Sequence, residues 1–227
     1  MRVYHRYEVR GIEILDRPGA ALLVGYHGKP WAYDMCMLTV TLYERLGYMP
    51  HGVMHKTFNQ ARITKWMIDS LGFVTGDGED VAEAVARGEH ILVQPGGSRE
   101  GYRSSRERYK LHWGERTGYL RLALRYNLPI VPVAAKGIDD GFWGLNDGYA
   151  LGKRLRLPYD LPAWIGIGPL GLFPFSPPFP VKITQVIGEP IHLRAEGPVD
   201  PGDRTALLGL HRKVMGAVQG LLDQANQ

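Results

Sequence analysis

The stretch LLVGYHGKPWAYD, Leu22 to Asp34, runs an apolar segment into a histidine, then a proline and an aspartate. With the preceding residues, Ala20 to Tyr26 form a continuous apolar run bounded by DRPG and HGKP. Such a run between turn signals reads as a strand buried on both faces. PWAYDMCMLTVTLYERLG then reads as a helix, with Pro30 in its first turn and Gly47 at its end. Strand, turn and helix in that order are the opening unit of a parallel α/β fold.

The same alternation continues outward. ARITKWMIDSLG, Ala61 to Gly72, reads as a helix with Ile63, Met67 and Leu71 on one face, and GDGEDVAEAVARGE as another that stops at Gly88. HILVQPGG is a short buried strand broken at Pro95. RTGYLRLALRYN is a helix capped at Asn127, and LPIVPVAA is a third strand. PVKITQVIGEPIHL gives one or two more strands. RTALLGLHRKVMGAVQGLLDQ closes the chain as an amphipathic helix. The expectation is an α/β fold: one domain over residues 1–227, with a central, mostly parallel sheet flanked by helices. The Pro/Gly-rich apolar segment 158–180 is expected to be a surface excursion.

Composition narrows the function. At 227 residues and 44% hydrophobic, the chain can bury a sizeable core. A net charge of +4 favours an anionic surface or substrate but lacks the basic density of a dedicated nucleic-acid binder, so no nucleic-acid partner is expected. The single cysteine, Cys36, excludes an intramolecular disulfide and a Cys cluster for zinc, and fits a cytoplasmic setting. MRVYHRYEVRGIEI is charged and alternating, unlike a secretory signal. The nearest thing to a membrane span, Leu161 to Ile183, is broken by its prolines and glycines, so no transmembrane helix is expected.

Open α/β sheets build sites beyond the carboxyl ends of their strands, and three stretches fall there: YHGKPWAYD, QPGGSREGY and AAKG. A neutral imidazole at His27 can take a proton from a hydroxyl. A carboxylate one helical turn into the next helix, Asp34, would point back toward it and fix its tautomer. The plainer alternative is a loop histidine and a helix-surface aspartate. Gly96 and Gly97 offer exposed backbone N–H groups to an oxyanion, with Ser98, Arg99 and Glu100 beside them; an ordinary tight turn is the alternative. Arg103, Arg106 and Lys110 in RSSRERYK form a solvated face, or receive the phosphates of an acyl carrier. His51 and His55, four apart in HGVMH, could share a metal on a helix, but Gly52 weakens that helix and no metal is expected. G-x-S-x-G and the phosphate-cradling glycine motifs are absent.

Side by side, these stretches resemble the lysophospholipid acyltransferase superfamily, and within it the diacylglycerol acyltransferase and phytyl ester synthase-like branch. YHGKPWAYD is similar to that branch's His-Gly motif, PGGSREGYRSS to its Pro-Gly-Gly-x-x-Glu motif, ERTGYLRLALRYNLPIVPV to its Pro-(Ile/Val)-(Ile/Val)-Pro block, and VIGEPIHL to its late Gly-x-Pro-Ile motif. The resemblance runs from about Val9 to about Leu193 and implies a glycerolipid acyltransferase-like fold. It also implies O-acyl transfer from an acyl thioester, acyl-CoA or acyl-ACP, to a lipid or other alcohol, with no cofactor. In it His27 is the base and Asp34 its orienter. Two departures stand out. Six residues separate His27 from Asp34 where the superfamily has four, and Ala32 holds the usual position. GFVTGDG lacks the arginine that would meet a phosphorylated acceptor, which tilts the reading to a neutral alcohol. A lysophosphatidate-type acyltransferase, a thioesterase-like hydrolase and a non-catalytic lipid-binding protein are the alternatives. Peripheral contact with the inner face of a membrane is expected through 161–180, by Trp164, Leu170, Leu172, Phe173, Phe175 and Phe179, unless that loop packs into the core.

Overall fold

The apolar run at the start of the chain becomes a central strand. In a computed structural model that describes residues 1–30, 32–54, 74–75, 79–157, 162–195 and 197–224, strand β2 (Leu22–Gly25) is buried at all four positions. The other strands of its sheet are β1 (Glu8–Arg10), β3 (His51–Met54), β4 (Val74–Thr75), β5 (Ile91–Val93), β6 (Ile130–Lys136) and β10 (Thr184–Ile187). Their order is β1-β10-β6-β2-β5-β3-β4. The five strands from β6 to β4 run parallel; β10 is antiparallel to β6, and β1 is parallel to β10. Leu22 lies between Ile91 and Ile130, so β2 is hydrogen-bonded on both edges. This is the mostly parallel α/β architecture expected from the alternating pattern.

The pleat of β2 divides the core. Leu22 and Val24 face one layer, with Leu120 and Leu124 of a helix over Gly118–Tyr126 and Leu207, Val214, Val218 and Leu222 of the C-terminal helix. Leu23 faces the other, against Met35, Leu38 and Leu42 of α1 (Tyr33–Leu46) and Val131 and Val133 of β6. Among the described residues the remaining α-helices, in chain order, are α2 (Glu79–Ala86), α3 (Ser98–Gly101), α4 (Gly118–Tyr126), α5 (Tyr149–Arg154) and α6 (Arg204–Gln224). Burying each of these Leu and Val side chains stabilises the fold by roughly 1.5–3 kcal/mol.

Three expectations change. Helix α1 starts at Tyr33, not Pro30: Ala32 is left-handed (φ +57°), and its N–H turns back to the Gly28 carbonyl at 3.1 Å. His51 opens a strand rather than a helix, and its Nε2 lies 2.7 Å from Glu89 Oε2. His55 and the expected helix over Ala61–Gly72 lie outside the described residues. The described part of the apolar excursion is not merely a surface loop. It supplies β8 (Gly166–Gly168) and β9 (Gly171–Leu172), which pair with β7 (Trp143–Gly144) in a small antiparallel sheet. Among the described residues no helix is long and apolar enough to cross a membrane.

Candidate active site

The carboxyl ends of β2, β5 and β6 lie side by side, and each delivers one part of the site. Beyond β2 come Tyr26, His27, Gly28 and Lys29. Beyond β5 the turn through Pro95, Gly96 and Gly97 leads into α3. Beyond β6 the chain passes Gly137 to Asp139.

His27 is held by its backbone from two directions. Its N–H donates to Glu100 Oε2 at 3.0 Å, and its carbonyl accepts from Arg103 Nη2 at 2.7 Å. The ring rests on Gly101, where an added Cβ would stand 2.6 Å from Cε1 and 2.8 Å from Nδ1. Nδ1 lies 3.3 Å from the Gly28 carbonyl. A carbonyl can only accept, so this contact places the proton on Nδ1 and the lone pair on Nε2. Burial pushes the imidazole down to about 4; the nearby Arg103 charge acts the same way, against an upward pull from the Gly28 carbonyl. The ring is therefore neutral at pH 7, as a general base requires.

Asp34 does not touch that ring, which corrects the direct contact expected from the sequence. Its Oδ1 accepts the Gly28 N–H at 3.1 Å, and its buried Oδ2 has no partner among the described residues. The longer spacing explains the change. The Ala32 N–H closes back on the Gly28 carbonyl, and the Asp34 carboxylate then meets the Gly28 backbone rather than the ring. Glycine is required there, because a Cβ would meet Asp34 Oδ1 at 2.7 Å. Asp34 thus bonds the backbone of the residue whose carbonyl faces His27 Nδ1. Burial lifts its carboxyl to about 7.

The PGG turn is built around Glu100, whose carboxylate clamps two backbone N–H groups. Its Oε2 takes the His27 N–H and its Oε1 the His112 N–H at 2.6 Å, so both oxygens face inward, fully buried. Any Cβ on Gly96 would overlap the Glu100 carboxyl, so this position admits only glycine. Gly97 has φ +56°, and its N–H is spent inside the turn on the Gln94 carbonyl at 3.0 Å. Ser98 and Arg99 are exposed at the mouth; Tyr149 Oη donates to Ser98 Oγ at 3.0 Å, and the Arg99 guanidinium lies over the Tyr149 ring.

The basic run divides. Arg106 and Lys110 are exposed, with Lys110 paired to Glu107 at 3.1 Å. Arg103, expected at the surface to receive phosphates, is instead buried with every donor group used. Nε goes to Glu100 O at 2.7 Å, Nη2 to His27 O, and Nη1 to Lys110 O at 3.0 Å and to Tyr26 Oη. The guanidinium also sits over the Tyr26 ring, 4.2 Å from its centroid, and 3.5 Å from Asp139 Oδ2.

The sequence reading missed Asp139, Tyr26, Lys29 and Arg116. Asp139 accepts from Tyr26 Oη and, at 2.9 Å, from the Tyr109 N–H. It stands just past the third strand end, so the rule that found His27 and the PGG turn also points to it. Lys29 Nζ is buried on Ser105 Oγ at 2.9 Å, and burial pushes its ammonium down to about 8. Arg116 clasps the PGG turn from outside, donating to the carbonyls of Pro95 at 2.8 Å and Gly96 at 2.7 Å. No cluster of three or more metal-ligating side chains occurs among the described residues.

A histidine at the end of a strand, a clamped glycine turn beside it and a buried ionic frame beneath make up the candidate site. Residues 6–136 match the acyltransferase family model, and the chain belongs to that family. It is 29% identical over 226 residues to the bovine "DGAT1/2-independent enzyme synthesizing storage lipids", covering 98% of this chain and 60% of that protein. The chicken protein of the same description is 30% identical over 224 residues, covering 97% of this chain and 60% of that protein. Chloroplastic phytyl ester synthase 2 of Arabidopsis thaliana is 30% identical over 138 residues, which are 58% of this chain and 20% of that one. The chain thus spans about three-fifths of the length of the animal relatives it matches. The crystal structure of the 1-acyl-sn-glycerophosphate acyltransferase PlsC from Thermotoga maritima shares the fold, with a TM-score of 0.52 and 17% identity over 97% of this chain and 72% of that one.

Proposed function

We propose that this protein transfers a fatty acyl group from an acyl thioester, carried on coenzyme A or acyl carrier protein, to the hydroxyl of a lipid alcohol. The observation that carries the reading is the neutral His27 ring, fixed by the Gly28 carbonyl at Nδ1, with Nε2 free of hydrogen bonds among the described residues. Nε2 takes the acceptor's hydroxyl proton as the oxygen attacks the thioester carbonyl. The oxyanion forms beside the PGG turn, where the Gly97 N–H is already engaged and the Gly96 N–H is the donor we assign. Collapse breaks the C–S bond, and the imidazolium returns the proton to the departing thiolate, giving an ester and a free thiol. The step needs no cofactor. A neutral acceptor is favoured because Arg103 is committed to the frame of the site and GFVTGDG contains no arginine.

One observation favours a rival. No hydrogen bond joins a carboxylate to the His27 ring among the described residues, as would suit a lipid-binding protein that has lost turnover. Thiol release from acyl-coenzyme A and acyl carrier protein decides between them, measured with glycerolipid alcohols with and without phosphate, for the wild type and His27→Ala. Acceptor-dependent release that disappears in the variant supports acyl transfer. Release without acceptor points to hydrolysis, and no release from either donor to the rival.

A further inference from the structure

The small sheet has two unlike faces. Cross-strand register pairs Trp143 with Ile167 and Ile167 with Leu172, and the Leu145 N–H extends the ladder to the Ile165 carbonyl at 2.9 Å. Alternation then sorts the side chains. Trp164, Gly166 and Gly168 turn inward and are buried; Trp164 packs on Phe142 and Phe173 and donates Nε1–H to the Arg103 carbonyl at 3.2 Å. Gly144 lies so close to that carbonyl that a Cβ would stand 2.7 Å away. The inner face therefore rests on the same Arg103 that holds His27.

The outer face carries Trp143, Leu145, Ile165, Ile167 and Leu172 and no polar side chain. Trp143 is 61% exposed, Leu145 62% and Leu172 56%, and Phe175, just past β9, is 91% exposed. A contiguous apolar surface of this kind marks an interaction site in a water-soluble chain. A short turn after β7 the chain enters α5, which ends on Lys153 and Arg154 and runs on as LRL, Leu155 to Leu157. Lys153, Arg154 and Arg156 are exposed and form no ion pair among the described residues, and Leu155 and Leu157 between them are exposed too. The first residue of that helix, Tyr149, bonds Ser98 at the mouth of the site.

We propose that the outer face of this sheet, with the basic end of α5, docks on an anionic phospholipid bilayer and so sets the mouth of the site against the membrane surface. Apolar and aromatic side chains enter the headgroup boundary while adjacent Lys and Arg meet anionic headgroups, which is the pairing an interfacial surface needs. The choice of a bilayer as occupant rests on the acyl-transfer reading; the surface itself does not.

The test is co-sedimentation with phosphatidylcholine vesicles, with and without a one-third share of phosphatidylglycerol. Binding to the mixed vesicles is expected, weakening as salt is raised. The double variant Leu172→Asp/Phe175→Asp, at exposed positions, is expected to lower the bound-to-free ratio by about tenfold or more. Lys153→Glu/Arg154→Glu is expected to remove the preference for anionic vesicles. Thiol release with a water-soluble acceptor should be unchanged in both, which keeps this proposal separable from the catalytic one. Absence of vesicle binding, or equal binding by wild type and the apolar variant, overturns it. So does a wild-type dimer in sedimentation equilibrium that the apolar variant turns into a monomer, since the face then belongs to a second copy.

Discussion

The Glu100 carboxylate takes the backbone N–H of His27 at 3.0 Å across 73 residues of sequence, while its other oxygen takes the His112 N–H. One buried side chain thus ties the end of β2 to α3 and to the loop beyond it. Only a group with two acceptor oxygens can do this. Glu100→Gln keeps the shape but turns an NH2 donor toward a backbone N–H, leaving two donors opposed. A stability loss of about 1–3 kcal/mol is expected in urea denaturation, together with a fall in thiol release. Unchanged stability and turnover would mean that Glu100 is not the clamp.

Gly101→Ala isolates the ring from the fold. The new Cβ would stand 2.6 Å from His27 Cε1, so the imidazole must shift, and as a side chain near the mouth it can. Misplacing a base by about an ångström costs on the order of tenfold to a hundredfold in rate. kcat should fall by that much while KM for the donor and the melting temperature change little. A normal kcat would show that the base works from a displaced position.

Asp34 should tolerate loss of its charge better than loss of its oxygen. Asn at this position still accepts the Gly28 N–H, whereas Ala leaves that buried N–H unpartnered, at about 1–3 kcal/mol. Asp34→Asn is expected within about tenfold of wild-type turnover, and Asp34→Ala well below it. Where a carboxylate bonds the imidazole directly, the same Asn change costs about 10⁴. A loss of that size would mean that Asp34 reaches His27 during the reaction.

These contacts separate what the sequence carries from what only the fold reveals. The strands that position His27 and the PGG turn were legible because apolar runs such as Ala20–Tyr26 are bounded by turn residues, and burial on both faces leaves that signature. Roles were less legible. Arg103 and Lys110 belong to one basic run, yet one is buried and the other exposed, because Arg103 faces three carbonyls and the Tyr26 ring that meet only in space. The spacing suggests Asp34 as a partner of the His27 ring, but its carboxylate takes the Gly28 N–H, an outcome set by backbone contacts such as Ala32 N–H to the Gly28 carbonyl that the sequence does not show. The small sheet was not legible because its strands are two or three residues long and rich in glycine.

Arg103 supports a prediction that tells a frame from a phosphate receptor. Arg103→Met leaves Glu100 and Asp139 buried without their cation, which costs about 3–5 kcal/mol. Arg106→Ala, at an exposed position, should stay within about 0.5 kcal/mol. Urea denaturation of both variants checks this. If Arg103→Met proves as stable as the wild type and raises only the donor KM, Arg103 binds substrate.

The two buried groups beside the turn set opposite pH trends. His27 falls from 6.5 to about 4 on folding, so between those values the unfolded chain binds the extra proton. Its contribution to stability is complete above about pH 6.5 and is lost as pH falls toward 4. Asp34 rises from 3.8 to about 7, so the folded chain binds the extra proton, and its contribution is lost as pH rises through that range. In urea denaturation, Asp34→Asn should therefore gain stability over the wild type most at about pH 8 and least near pH 4. His27→Ala should lessen the acid-side decline, to which His5, His90 and His211, also lowered by burial, still contribute, and should keep the decline toward neutral pH. Catalysis follows His27 alone: kcat/KM should fall only below about pH 5, with an apparent pKa near 4. An acid limb near the ordinary histidine value of 6.5 would show that the base is solvated when substrate is absent.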